Sequence, residues 1–210
     1  MPSQRAANRQ LQLPTVEPII PIERPTPFND PAWLFEPKHD GFRGLVYLPP
    51  DGCTNRSKRA HTFRRFDALC APLRELVAAR TAILDGEVLA LDAEGRPQFM
   101  DLLRGKGRLA FAAFDILWLD GRDLRPVPLT KRKAHLNTVL PYESSEVFKT
   151  MVVEEHGFAL YEAVKRLDLE GIVAKGKADP YGPASPWYKV LNPGYSQKEG
   201  RGELFERRPR

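Results

Sequence analysis

Residues 36–43 read Glu-Pro-Lys-His-Asp-Gly-Phe-Arg, and they carry more of the fold than any other stretch of the chain. Lys38 stands two residues after Glu36 and two before Asp40, Gly41 allows a tight backbone, and Arg43 follows at once. From these residues alone two readings are open. Asp-Gly is the commonest two-residue hairpin turn, which would leave Lys38 as an exposed lysine at a strand end. The alternative is a reactive amine set among charges that tune it.

Outward from this stretch, the chain reads mainly as strands. Trp33 to Tyr47 is β-prone on both sides of the Asp-Gly pair, giving strand, loop and strand, and Pro49-Pro50-Asp51-Gly52 turns the chain again. Phe63, Phe66, Leu69, Leu73, Leu76 and Val77 fall at helical spacing, with Pro72 expected to split that helix. TAILDGEVLALD (81–92) and RLAFAAFDILWLDG (108–121) are apolar β segments around a short helical PQFMDLLRG. Thr130 to Leu140 and Glu154 to Leu167 have helical patterning, with VFKTMVV (147–153) a strand between them, and EGIVAK and SPWYKVLN close the series as strands. Strands outnumber helices and hairpin turns outnumber βαβ crossovers, so the expected class is α+β, with largely antiparallel sheets and flanking helices.

Composition narrows the function. With 210 residues and 42% apolar content the chain can bury one good core, and no apolar run reaches the length of a membrane span. No membrane partner is expected, and the proline-led amino terminus lacks a signal peptide's apolar stretch, pointing to the cytoplasm. Cys53 and Cys70 lack CxxC spacing and the four histidines are scattered, so neither a disulfide nor a zinc site is indicated. The net charge of +5 gathers at Arg56 to Arg59, Arg64-Arg65, Lys131 to Lys133 and the terminal RRPR, patches that suit a polyanion such as nucleic acid. Residues 1–31 read as an extended proline-rich arm with Ile19, Ile20 and Ile22 able to dock, 32–192 as the folded domain, and 193–210 as a tail.

Taken in order, these segments resemble the motifs of the covalent nucleotidyltransferases: ATP-dependent DNA ligases, RNA ligases and mRNA capping enzymes. The resemblance runs over roughly residues 33–205. It implies an adenylation domain of ATP-grasp-like nucleotidyltransferase type, with ATP and magnesium or manganese as cofactors. Lys38 would be the nucleophile that takes AMP as a phosphoramidate. Glu36 would contact the adenine amino group, Phe114 of AFDILWLDG would stack on the purine, and Val173 of EGIVAK would line the base pocket. Arg43 and Glu87 would reach the ribose, Lys175 would face the phosphates, and Lys189 of WYKVLN the α-phosphate. Glu87 and Glu170 would hold metal, with Asp40 a further oxygen, because magnesium takes hard oxygen ligands and bridges phosphates. NRSKRAHT (55–62) resembles the family's SRNGxxxT in part, with Arg56 and Thr62 matching and Lys58 replacing glycine. Arg56 is thus a nucleotide or 5′-phosphate contact or a residue of a generic basic loop.

Two departures from the family pattern stand out. Leu191 occupies the place of a second lysine, and a missing phosphate donor costs roughly 2.7 to 4 kcal/mol in the transition state. The 18 residues after Asn192 are too few for the OB-fold domain that the resemblance leads one to expect, so a clamp supplied by a repair protein is a candidate partner. The ending NPGYSQKEGRGELFERR resembles small bacterial ligase-like proteins. The expected function is therefore a DNA ligase-type adenylation domain acting on nicked double-stranded DNA in a cytoplasmic, nucleoid-associated setting, in repair or recombination. A non-catalytic nucleotide or nucleic-acid binding module and an RNA ligase remain as alternatives.

Overall fold

The chain folds as two sheets packed face to face. The structure, a computed structural model, describes residues 13–57 and 61–198. The sequence readings of the first 12 residues, of Lys58 and Arg59, and of the tail beyond Lys198 lie outside the described residues.

One sheet has five strands: β1 (Ile22–Glu23), β2 (Asn29–Lys38), β9 (Val153–His156), β10 (Gly171–Gly176) and β11 (Tyr188–Leu191), in the order β1-β11-β10-β2-β9. The other orders β4 (Thr54–Arg56), β3 (Phe42–Leu48), β5 (Ala82–Leu91), β6 (Arg108–Leu119) and β7 (Arg122–Asp123), with β8 (Val147–Lys149) also paired to β6. Only β1–β11 and β6–β8 are parallel among the described pairings. Among the described residues four α-helices flank the sheets: α1 (Cys70–Leu76), α2 (Phe99–Arg104), α3 (Leu129–Val139) and α4 (Gly157–Arg166). The α+β, largely antiparallel architecture expected from the pattern is the one observed.

The strand period of two assigns the faces. In the five-stranded sheet Phe35, Ile172, Ala174 and Val190 turn outward to a core with Leu160 and Val164 of α4. Their neighbours Glu36, Val173 and Lys189 form one row across β2, β10 and β11 and turn toward the other sheet. In the six-stranded sheet Val46, Leu84, Val88 and Phe111 pack under the helices, while Leu45, Ile83, Phe114 and Leu117 meet Tyr181 and Trp187 between the sheets. Val16 and Ile19 add to that inner core, whereas Ile20 and Ile22 are exposed. Val16 N–H donates to Tyr47 Oη and Ile19 N–H to Tyr181 Oη, so this segment lies across the seam between the sheets.

Several elements differ from the sequence reading, each through tertiary pairing. Asp40-Gly41 is a crossing from one sheet to the other, since β2 and β3 belong to different sheets. A Cβ on Gly41 would lie 2.1 Å from the Val88 carbonyl oxygen, so only glycine fits that corner. By contrast, β5 runs through Asp85-Gly86 as the apolar segment 81–92 led one to expect, and Gly86 makes room for the Phe111 ring. The expected strand 147–153 is two short strands, β8 and β9, in different sheets, and residues expected to open a helix at Glu154 instead pair with β2. Pro72 does not split its helix; it sits in the first turn of α1, where its missing N–H costs nothing, and the break falls earlier, after a 3-10 turn at Arg64–Leu69.

Two further readings are corrected. Cys53 and Cys70 form a disulfide, because the β3–β4 turn and the start of α1 bring their Cα atoms to 5.5 Å. The Lys131–Lys133 run is not a free basic patch. Arg132 falls on the buried stripe of α3 with Leu129, Leu136 and Val139, and its guanidinium grips Asp115 through Nε and Nη2, both at 2.9 Å. Both side chains are fully buried. Removing one partner of such a pair strands a buried charge. Arg132→Met is therefore expected to cost about 3–5 kcal/mol in urea unfolding, with partial recovery in the Arg132→Met, Asp115→Asn double variant; full stability in the single variant would refute the role of the pair.

Candidate active site

β2 ends at Lys38, β3 begins at Phe42, and the three residues between them carry the chain across the seam. A cavity of about 640 Å³ opens there. The five-stranded sheet contributes Glu36, Lys38, Val173, Lys175 and Lys189, the six-stranded sheet Arg43, Glu87 and Phe114, and Trp187 closes one side. The structure thus brings eight of the residues singled out in the sequence onto one cavity.

The remaining three lie around it. Glu170 precedes β10, opposite the end of β2, and its Oε2 accepts from Lys38 Nζ at 2.6 Å. Asp40 is buried behind the loop and accepts from Tyr195 Oη at 2.8 Å. Arg56 does not line the cavity; its guanidinium lies 4.3 Å from the centre of the Tyr47 ring.

Cations and carboxylates are paired across the site. Arg43 holds Asp85 with two bonds of 2.5 Å, and Asp85 also accepts from Tyr181 Oη at 2.7 Å. Burial works against the Arg43 charge, but Asp85 more than offsets it and raises the guanidinium's pKa. The same guanidinium packs 4.7 Å from the Phe114 ring centre. Lys189 meets Glu23 of β1 at 3.2 Å. Lys175 Nζ reaches Glu36 Oε2 at 2.5 Å and lies 4.3 Å from the centre of Phe114 and 4.0 Å from that of Trp187. Opposite Gly171 and Leu34 respectively, Lys38 and Lys175 occupy cross-strand rows roughly 13 Å apart along β2.

Burial sets the titration of the inner groups. It raises Glu87 to about 7, against the pull of Lys38 and Arg43 and with Glu170 and Asp85 pushing the same way. Lys175 is lowered to about 8 by burial, with Glu36 pulling it back up and Lys133 pushing it down. Glu36 feels burial upward most strongly, yet Lys133 and Lys175 together hold its carboxyl below the ordinary value.

Among the described residues no cluster of three or more His, Cys, Asp or Glu could cage a metal ion by itself, so Asp40, Glu87 and Glu170 do not form a ready trio. Glu87 and Glu170 nonetheless interact, and two carboxylates suit magnesium, which keeps waters and relies on substrate phosphates.

Sequence reasoning missed several groups. Lys133 of α3 forms an ion pair with Glu36 Oε1. Its neighbour Arg132, a charge on an apolar helical stripe, was the available signal. Ile20 and Pro21 line the cavity, and Tyr195 and Gln197 bring the tail to Asp40 and to Phe99 N–H. No local pattern announces those contacts.

His39 was also missed. It lines the cavity, its Nε2 is 3.1 Å from Thr150 Oγ1, and its ring meets Phe148 edge-on. Burial lowers its pKa from 6.5 to about 4, Glu36 opposes this, and Lys38 and Lys175 add to it.

This topology, with a lysine at the seam of two largely antiparallel sheets, is that of a nucleotidyltransferase adenylation fold. A sequence model of the ATP dependent DNA ligase domain matches residues 23–190, and the chain belongs to that family. It is 28% identical to the SPbeta prophage-derived DNA ligase-like protein LigB of Bacillus subtilis, over 87% of this chain and 69% of that protein. It is 32% identical to the multifunctional non-homologous end joining protein LigD of Mycolicibacterium smegmatis, over 80% of this chain but only 24% of that one. Among solved structures, a mycobacterial DNA ligase D complexed with ATP and MES superposes with a TM-score of 0.71 at 26% identity, covering 83% of this chain and 60% of that one. No helix among the described residues is long and apolar enough to cross a membrane.

The His39 shift has a definite sign. A histidine whose folded pKa is depressed stays neutral in the native state while the unfolded chain takes up a proton, so its contribution is present above pH 6.5 and is lost as pH falls toward 4. Across that window wild type is expected to lose on the order of 2–3 kcal/mol more than His39→Asn. Urea unfolding at pH 7 and pH 4.5 checks this, and equal losses in both proteins would rule it out.

Proposed function

We propose that the chain is the catalytic adenylation domain of an ATP-dependent DNA ligase, with Lys38 as nucleophile. The observation that carries this reading is the placement of Lys38 Nζ, bonded to Glu170, on the same cavity as Glu36, Arg43, Glu87 and Phe114. Membership of the ligase family and the seam geometry support it together.

In this reading the base enters against Phe114 and Val173, with Glu36 at its edge, and Arg43 stands beside the ribose. Lys175, fixed beside Glu36 and the rings, serves the base end as well as the charge balance, while Lys189 takes the α-phosphate. Lys38 must lose a proton before it attacks, and Glu170, which accepts its hydrogen bond at 2.6 Å, would take it. Its nitrogen then bonds the α-phosphorus as the bond to the bridging oxygen breaks, and pyrophosphate leaves. The AMP passes to a 5′-phosphate at a nick in double-stranded DNA, and a neighbouring 3′-hydroxyl displaces it to form the phosphodiester. Magnesium or manganese would neutralise charge on the phosphate oxygens, and Glu87 and Glu170 would be the side chains that hold it. Asp40, tied to Tyr195, would support the loop from behind, and Arg56 would meet the 5′-phosphate strand.

Leu191 motivates a second reading, a binding module with weakened chemistry. It follows Lys189 on the same face of β11, where a further cation would add to the phosphate end.

The adenylation step is checked by intact-protein mass after incubation with ATP and magnesium: wild type should gain an adenylate adduct and Lys38→Ala should not. An adduct that persists in Lys38→Ala would refute the assignment. Leu191→Lys is expected to speed adenylation on the order of 100-fold, read from the time course of the adduct. No adduct in either protein would favour the binding module.

A further inference from the structure

Glu36 is gripped from two sides by lysines of different elements. Lys175 of β10 bonds Oε2 at 2.5 Å, and Lys133 of α3 forms an ion pair with Oε1 without a well-aligned hydrogen bond to it. The carboxylate is only 2% exposed, yet it lines the cavity. Alone at such a depth it would tend to protonate, because burial disfavours the charged form. A protonated carboxyl both donates and accepts, whereas an ionised one can only accept.

We propose that Lys133 is a specificity-determining residue: with Lys175 on the opposite oxygen, it keeps Glu36 ionised and oriented as an acceptor, so that the cavity selects a 6-aminopurine nucleotide over a 6-oxopurine one. The inference rests on the base binding beside Phe114, as proposed above. An amino group at the purine 6-position donates to the carboxylate, while a 6-oxo group would set two acceptors against each other. A buried polar mismatch of this kind discriminates strongly because neither group recovers its lost hydration. Lys133 reaches the site because α3 is pinned to β6 by the Arg132–Asp115 pair one residue earlier. Arg132 thus serves the fold and Lys133 the cavity, from adjacent positions on one helix.

The test compares equilibrium binding of ATP, GTP and purine riboside triphosphate, which has no substituent at C6, with no divalent metal present. Wild type should prefer ATP. Lys133→Met should narrow the ATP-to-GTP ratio on the order of tenfold, and Lys133→Arg should preserve it. Glu36→Gln, whose amide can donate to a 6-oxo group, should narrow the ratio too, and adding Lys133→Met to it should change the ratio no further. If Lys133→Met does not fold, Lys133→Arg and Glu36→Gln still decide the matter.

An equal loss of affinity for all three triphosphates in Lys133→Met would overturn the inference, since that marks a structural or phosphate-binding role. So would an unchanged ratio. Wild type that prefers ATP but forms no adduct at Lys38 would remove the ligase reading and leave base selection standing. Wild type that binds no triphosphate would overturn both.

Discussion

The two sheets meet at a corner that only glycine can turn. Gly41 lies so close to the Val88 carbonyl that a side chain would collide with it, and this closeness brings the end of β2 against the start of β3. The position of Lys38 is a direct consequence. Lys38 ends β2 two residues after Glu36, so it shares the inward face of that strand and enters the space between the sheets. A second sheet-to-sheet passage, from β8 to β9, meets the first where Thr150 stands beside His39. A third is made by the tail, where Tyr195 reaches Asp40 and Gln197 caps the start of α2. With the Val16–Ile19 segment, which also lies across it, these passages brace the seam from several sides.

Charge is arranged around that seam in pairs. Lys38 with Glu170, Arg43 with Asp85, Lys189 with Glu23, and Lys175 and Lys133 with Glu36 leave little net charge to be buried at any one point. Buried pairs of this kind add little net stability, but losing one partner is costly, so they specify geometry more than they strengthen the fold. The pairs differ in depth. Lys175 is 2% exposed, Lys38 24% and Lys189 29%, so the latter two can exchange a carboxylate for a phosphate at a smaller desolvation cost. Under the proposed function this gradient orients the nucleotide, with the base at the closed end and the phosphates toward solvent.

The architecture explains why one charge run in this sequence misleads. Arg132 and Lys133, which belong to one of its most basic stretches, point inward to Asp115 and Glu36. That run therefore presents fewer free cations to a polyanion than its composition implies. The long strands, by contrast, were legible, because β5 and β6 are buried on both faces and read as apolar runs whatever they pair with.

By itself the sequence determined the class of fold, the places of its longer strands β2, β3, β5, β6 and β10, and the residues around EPKHDGFR, LDGEVLALD, AFDILWLDG, EGIVAK and WYKVLN that come to share a cavity. These are encoded locally, in period-two patterning and in short runs of particular residue types. Only the tertiary structure decided that Asp40-Gly41 crosses between sheets and does not close a hairpin. It also decided that Cys53 meets Cys70, that Glu154 extends a sheet before a helix begins, and that Lys133, Glu23 and Tyr195 reach the site. Each depends on groups distant in sequence coming together, and an isolated segment holds no record of the partner that fixes its conformation.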